Sequence, residues 1–177
     1  MGHSKGGIDS AAALAMHASL RPLVAGIVFV QTPYGGSPVA TDLMEGDGIE
    51  FELLRAFVLD FLASILRTKA DAGVDLTYSE RRAFLERFPL DPQDPSYLRR
   101  PTAAETSSSS SPSSSSSSSS QPPLSFPMLS FHSTIGESNF LSPFALTAAY
   151  MRRRYDVASD GMVAAVDAEV PGSAVVR

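Results

Sequence analysis

The hydrophobic pattern changes character several times along this chain, and each change marks an element. Between Gly6 and Ser19 small residues crowd together: Ala11, Ala12, Ala13, Leu14, Ala15, Met16 and Ala18. Alanine is the best helix former, so residues 5–20 read as a helix slim enough to lie close against a sheet. Arg21-Pro22 ends it. The run Val24-Ala25-Gly26-Ile27-Val28-Phe29-Val30 is short, apolar and rich in β-branched residues, the pattern of a buried parallel strand. Gln31 to Pro38 follows as a Gly/Pro loop at the strand's carboxyl end, where open α/β sheets place their sites. Thr41 to Gly48 reads as an acidic loop. Ile49, Leu53, Phe57, Phe61 and Ile65 then recur every four residues, with Leu54, Val58 and Leu62 beside them. Glu50, Glu52, Asp60 and Arg67 fill the other face, which predicts an amphipathic helix over 49–67. A second helix spans 77–88, with Thr77 as cap, Glu80 completing a capping box, and Pro89 as stop.

Beyond that point the pattern dissolves and then returns. Asp91-Pro92, Asp94-Pro95 and Arg100-Pro101 form an extended connector. Residues 107–120 are thirteen serines and one proline. Such a tract offers no apolar surface against the entropy of ordering, so 102–125 is expected to be a disordered loop inside a domain. Residues 126–134 read as the next strand, with His132 at its carboxyl end. Ser142 and Pro143 start a helix that runs to about Tyr155. Arg152, Arg153 and Arg154 sit in its last turn, where they suit the helix dipole. That basic run is a solvated face or a patch for membrane or phosphate. Asp160-Gly161 turns the chain, and residues 172–176 form a last short strand.

Composition narrows the field. At 177 residues, 44% of them hydrophobic, the chain can build one domain with a real core. A net charge of −5 and a pI near 5.1 argue against nucleic acid as a partner. The absence of cysteine excludes disulfides, thiolate metal sites and a cysteine nucleophile. No apolar run reaches the ~18 residues of a membrane span. No metal and no cofactor are expected. No targeting segment is visible ahead of Gly2. A soluble intracellular location is expected, or an organelle such as the plastid if a leader precedes this sequence.

Chemistry concentrates at the start. Gly2-His3-Ser4-Lys5-Gly6 has the form Gly-x-Ser-x-Gly, the nucleophile elbow, in which a sharp strand-to-helix turn lifts a serine hydroxyl out of the backbone. Side chains at Gly2 or Gly6 are expected to collide across so tight a turn. In a Gly/Ser-rich chain the bland alternative is a plain loop. The helix, buried strand and Gly/Pro loop that follow favour the elbow.

Taken together, Gly2-His3-Ser4-Lys5-Gly6-Gly7-Ile8-Asp9, then the strand, then Thr32-Pro33-Tyr34-Gly35-Gly36-Ser37-Pro38, resembles the lipase/esterase branch of the α/β-hydrolase superfamily. Ser159-Asp160-Gly161-Met162-Val163 is similar to the segment that supplies the catalytic acid in bacterial-type lipases. The resemblance implies an α/β fold, a partial α/β-hydrolase domain over 1–177. Its sheet would be incomplete and mostly parallel, with flanking helices and a helical lid inserted at 38–101.

The resemblance also implies roles. Ser4 would attack the ester, the Lys5 N–H would help hold the oxyanion, and Asp160 would orient a histidine. His3, Tyr34 and His132 would lie near the substrate pocket. A turn aspartate is the plain alternative for Asp160, and helix packing or surface is the plain reading of His17. The order in such enzymes is serine, acid, histidine, yet His3, His17 and His132 all precede Asp160. Strands ahead of Ser4 are also missing, so a hydrolase cut at both ends is expected. The expected function is a carboxylic ester hydrolase acting on a small ester or acyl lipid, weak or inactive as this chain, with peripheral membrane contact left open. The rivals are a non-catalytic remnant acting as a binding or scaffold protein, and an amidase or thioesterase on the same fold.

Overall fold

The computed structural model describes residues 1–46, 56, 70–90, 126–136 and 141–177. The helix expected at 49–67 (apart from residue 56), the connector at 91–101 and the serine-rich stretch at 102–125 lie outside the described residues. A four-stranded sheet runs in sequence order β1 (Gly2–His3), β2 (Ile27–Val30), β3 (Met128–Phe131) and β4 (Ala174–Val176). Every pairing is parallel: Gly2 opposes Phe29, Val30 opposes Phe131, and Phe131 opposes Val176. Parallel strands require crossovers, and helices supply them. The α/β reading therefore holds.

α1 (Lys5–Met16) connects β1 to β2 and buries Gly7, Ile8, Ala11, Leu14 and Ala15, one stripe at helical spacing. Ala11, Leu14 and Ala15 pack with Ile27 and Phe29 of β2, and with Leu85, Phe126 and Val170, to form the main core. The helix ends at Met16, four residues earlier than the alanine pattern predicts. A 3₁₀ helix over Ala18–Leu23 holds Pro22 instead. Buried Arg21 turns back so that its Nε donates to the Leu14 carbonyl at 2.9 Å, satisfying one of the acceptors that every helix end leaves open. β2 itself is shorter than its apolar run, because Val24 to Gly26 stand outside the ladder.

The expected acidic loop is largely a helix, α2 (Pro38–Glu45). Its start follows helix-capping chemistry. Pro38 occupies the first turn, where a missing N–H costs nothing, and Ser37 Oγ accepts from the Ala40 amide at 3.3 Å. Val39 and Leu43, four residues apart, pack with Met151 and Ala164 in a second core. A 3₁₀ helix over Ala70–Leu76 leads into α3 (Tyr78–Arg87). Thr77 caps α3 by accepting from the Glu80 amide at 3.4 Å. The return half of the capping box is absent, because the Thr77 N–H goes to the Val74 carbonyl instead.

β3 buries Ser130 completely, and its hydroxyl is satisfied by the Ser173 hydroxyl at 2.6 Å and the Val170 amide at 3.0 Å. α4 (Ala145–Tyr155) begins after a turn in which Ser142 Oγ accepts from the Phe144 amide, so the helix starts later than Pro143 suggests. α4 closes on Asp156 in the left-handed conformation, φ 53°.

A buried carboxylate ties α4 to α2. Asp42 accepts from the Tyr150 hydroxyl at 2.7 Å and the Tyr155 hydroxyl at 2.5 Å, with Arg154 Nε at 3.3 Å. Burial, then the bond to Asp42, pushes the Tyr155 hydroxyl up to about 12. Tyr150 is raised for the same reasons. Arg154 of the basic run is thus engaged, not simply solvated.

Candidate functional site

Ser4 sits between β1 and α1 at φ 52°, ψ −129°, a region that L-residues with a Cβ seldom enter. Two hydrogen bonds impose it. The Ser4 amide donates to the Val30 carbonyl at 2.9 Å, extending the ladder by one rung, and the Ser4 carbonyl accepts from the Gly7 amide at 3.0 Å. Its side chain makes no capping bond to α1, so the hydroxyl is left to other use.

The glycines are needed, but one is not the glycine the motif suggests. A Cβ on Gly2 would lie 2.6 Å from the Gly7 Cα, and a Cβ on Gly7 would lie 2.0 Å from Thr32 Oγ1. Gly6 is exposed, and a Cβ there would meet nothing within 4 Å. The constraint falls on Gly7 because that residue faces the sheet, where fully buried Thr32 presses against it.

Lys5 opens α1, so its amide has no helical carbonyl behind it and remains a donor beside Ser4. Its side chain points elsewhere: Nζ lies 2.8 Å from Asp9 and 3.4 Å from Asp75. The hydrogen bond to Asp9, more than any other influence, raises the Lys5 ammonium above its usual range. A lysine held protonated in this way is no base.

Asp160 lies in a tight turn closed by the Ser159–Ala164 bridge. One carboxylate oxygen accepts from the amides of Met162 at 2.8 Å and Val163 at 2.7 Å. The other accepts from Gln31 Nε2 at 2.7 Å. Gly161 follows at φ 96°, where a Cβ would fall 2.6 Å from Phe144. The loop after β2 braces this turn a second time, because Ser37 Oγ donates to the Met162 carbonyl at 2.6 Å. A third tie joins Gly35 N–H to the Asp167 carbonyl at 3.1 Å, and buried Asp167 accepts from the Tyr78 hydroxyl at 2.6 Å. Gln31 and Asp167 were not legible as site residues. A glutamine ending a strand and an aspartate in a short helical turn carry no spacing that links them across the chain.

The three sheet neighbours just past the last rungs are Ser4, Gln31 and His132. Their amides reach the Val30, Phe131 and Val176 carbonyls at 2.9, 2.8 and 3.3 Å. At roughly 4.8 Å per strand, the Ser4 and His132 backbones stand roughly 10 Å apart.

His132 is buried, and among the described residues neither ring nitrogen has a hydrogen-bond partner. Its Nε2 lies 3.4 Å from Glu169 Oε1. His132 also lines a cavity of about 460 Å³, bounded by Ser133, Val157, Ala158, Val166 and Arg177. His3, on β1, is exposed, and so is His17 at the end of α1. Among the described residues no histidine is bonded to Ser4 or Asp160. Tyr34 is 3% exposed, packed within the main core and 5.6 Å from the Arg81 guanidinium.

The fold has a counterpart among solved structures. The chain is similar to the mature form of the Bacillus licheniformis lipase BlEst2, with a TM-score of 0.57 and 22% identity, over 99% of this chain and 54% of that one. It is similar to the propeptide form of the same lipase with a TM-score of 0.55 and 22% identity, over 99% of this chain and 29% of that one. The chain therefore spans about half the length of the mature form. No protein-family model and no curated protein matches the sequence. At this identity the likeness speaks to architecture: the chain has a lipase-like fold, a partial α/β-hydrolase fold with a parallel sheet and flanking helices.

Proposed function

We propose that this chain carries the nucleophile and the acid of a lipase-type serine ester hydrolase. The observation that bears most weight is Ser4 at φ 52°, ψ −129° on a strand-to-helix turn, with a helix N-terminus directly behind it. Strain of this kind costs about 1–3 kcal/mol and persists only where surrounding contacts enforce it. In the proposed reaction Ser4 Oγ bonds to the ester carbonyl carbon while the Lys5 amide donates to the developing oxyanion. The alcohol leaves with a proton, and water then cleaves the acyl-serine. Asp160 orients an imidazole that moves the protons. Carboxylic esters, acyl lipids among them, are the substrate class, and a peripheral membrane contact is compatible with it. His3 lies near the pocket, and His132 lines its own cavity to one side. No metal or organic cofactor enters.

A second reading rests on a specific observation. None of the three histidines bonds to Ser4 or Asp160 among the described residues, which favours a non-catalytic binding or scaffold role. Hydrolysis of p-nitrophenyl butyrate by the 177-residue chain, with and without added imidazole, separates the two. Free imidazole can stand in for an absent general base. The hydrolase reading expects imidazole-stimulated turnover at least about tenfold above Ser4→Ala, since loss of the nucleophile abolishes the covalent route. Equal rates in the two proteins would leave the binding role.

A further inference from the structure

Gln31 is the unusual residue of the loop after β2. It has a side chain yet stands at φ 46°, in the left-handed region. Its amide extends the sheet by donating to the Phe131 carbonyl at 2.8 Å. Its side chain then makes a set of bonds whose chemistry fixes the amide's orientation. Nε2 faces the Asp160 carboxylate at 2.7 Å, and a carboxylate can only accept. Oε1 faces the Ser133 amide at 3.0 Å, and an N–H can only donate. Nε2 is also 3.1 Å from Ser133 Oγ and 3.3 Å from the Ser133 carbonyl. One side chain thus joins the strand beside the nucleophile, the end of β3 and the outer oxygen of the acid. Ser4 is anchored on the Val30 carbonyl, immediately before Gln31.

We propose that Gln31 is a positioning residue that sets the orientation of the Asp160 carboxylate relative to Ser4. The proposal rests on the reading of Ser4 and Asp160 as nucleophile and acid. The two amides of Met162 and Val163 grip only one oxygen of Asp160. With that oxygen alone held, the carboxylate can swing about it. Gln31 supplies the second point and leaves the outer oxygen's remaining lone pair for an imidazole N–H. The left-handed backbone is the cost of aiming the side chain back across the sheet, and the bonds to Asp160 and Ser133 enforce it.

The test compares Gln31→Gly, Asp160→Ala and the double variant in the whole 177-residue chain. Gln31→Gly removes the side chain and relieves the backbone strain, so a fold that survives Asp160→Ala survives this change too. Two readouts are taken. The first is the rate at which a fluorophosphonate labels Ser4 in the presence of imidazole. The second, independent of activity, is hydrogen exchange at the Met162 and Val163 amides.

A residue acting through Asp160 gives coupled losses. Gln31→Gly should slow labelling about tenfold alone and add nothing to Asp160→Ala. Exchange at the Met162 and Val163 amides should speed up about tenfold, because the carboxylate that protects them is released. Gln31→Glu should lose more than Gln31→Gly, since it sets a carboxylate against Asp160. Equal fold-losses in the two backgrounds, or unchanged exchange at both amides, would overturn the proposal. If instead Ser4→Ala labels as fast as the parent, the nucleophile reading fails. The exchange result still decides whether Gln31 holds Asp160.

Discussion

The turn at Ser4 and the turn at Asp160 are fixed by different physics. Ser4 is held mainly by shape: Gly2 and Gly7 leave no room for a Cβ, and the tight backbone this allows is pinned by the Val30 carbonyl and the Gly7 amide. Asp160 is held by polar bonds: two amides on one oxygen, Gln31 on the other, and Ser37 behind the turn. Beside the Asp160 turn, α2 and α4 are joined by the Asp42 cluster and by the packing of Val39, Leu43, Met151 and Ala164. A turn set by shape fails abruptly when volume is added. A turn set by hydrogen bonds loosens by degrees. Between them runs the loop from Gln31 to Ser37, which contributes Thr32 to the first and Gln31 and Ser37 to the second.

The largest effect should come from the shape side. Gly7→Ala should cost about 3 kcal/mol in urea unfolding, the upper part of the range for overpacking, because its Cβ would drive into buried Thr32. Gly6→Ala should cost nothing and can gain up to about 1 kcal/mol from helix propensity. Equal losses at the two positions would remove the distinction between them.

Next in size is the strain at Ser4. Ser4→Gly should stabilise the fold by about 1 kcal/mol, because glycine enters this conformation freely. Thermal unfolding would show the gain, and no gain would mean that the turn is unstrained.

The smallest effect belongs to the polar side. The folded state raises the Tyr155 hydroxyl from 10.0 to about 12 and so favours its neutral form. The stabilisation is whole below pH 10 and is lost as pH rises through about 12. Partial exposure keeps it modest. Unfolding of the parent should therefore weaken between those values, and Tyr155→Phe should flatten that part of the profile. An unchanged profile in Tyr155→Phe would take the Tyr155 hydroxyl out of the alkaline response.

What the sequence made legible follows the same division. The strand read over 24–30, the small-residue helix and the strand-to-helix turn at Ser4 are written in local patterns of glycine, alanine and β-branched residues, and all three stand in the structure, the strand shortened to Ile27–Val30. The helix at Pro38–Glu45 was missed because its acidic residues, Asp42 and Glu45, read as loop. Asp42 is in fact buried under two tyrosine hydroxyls more than a hundred residues away. Gly6 was read as the constrained glycine because the motif names it, whereas contact with Thr32 selects Gly7. Gln31 was invisible as a site residue because its bond to Asp160 spans 129 positions. Local steric rules can be read along a chain. Hydrogen bonds closed by the fold cannot.

The most direct measurement is peptide-mapped fluorophosphonate labelling of the whole chain with imidazole present. The thirteen serines at 107–120 serve as a built-in background of unactivated hydroxyls. The account predicts an adduct on Ser4 far above that background, absent in Ser4→Ala and slowed in Asp160→Ala. Labelling spread evenly over the serines, or no adduct on Ser4, would contradict it and leave the elbow as a packing turn.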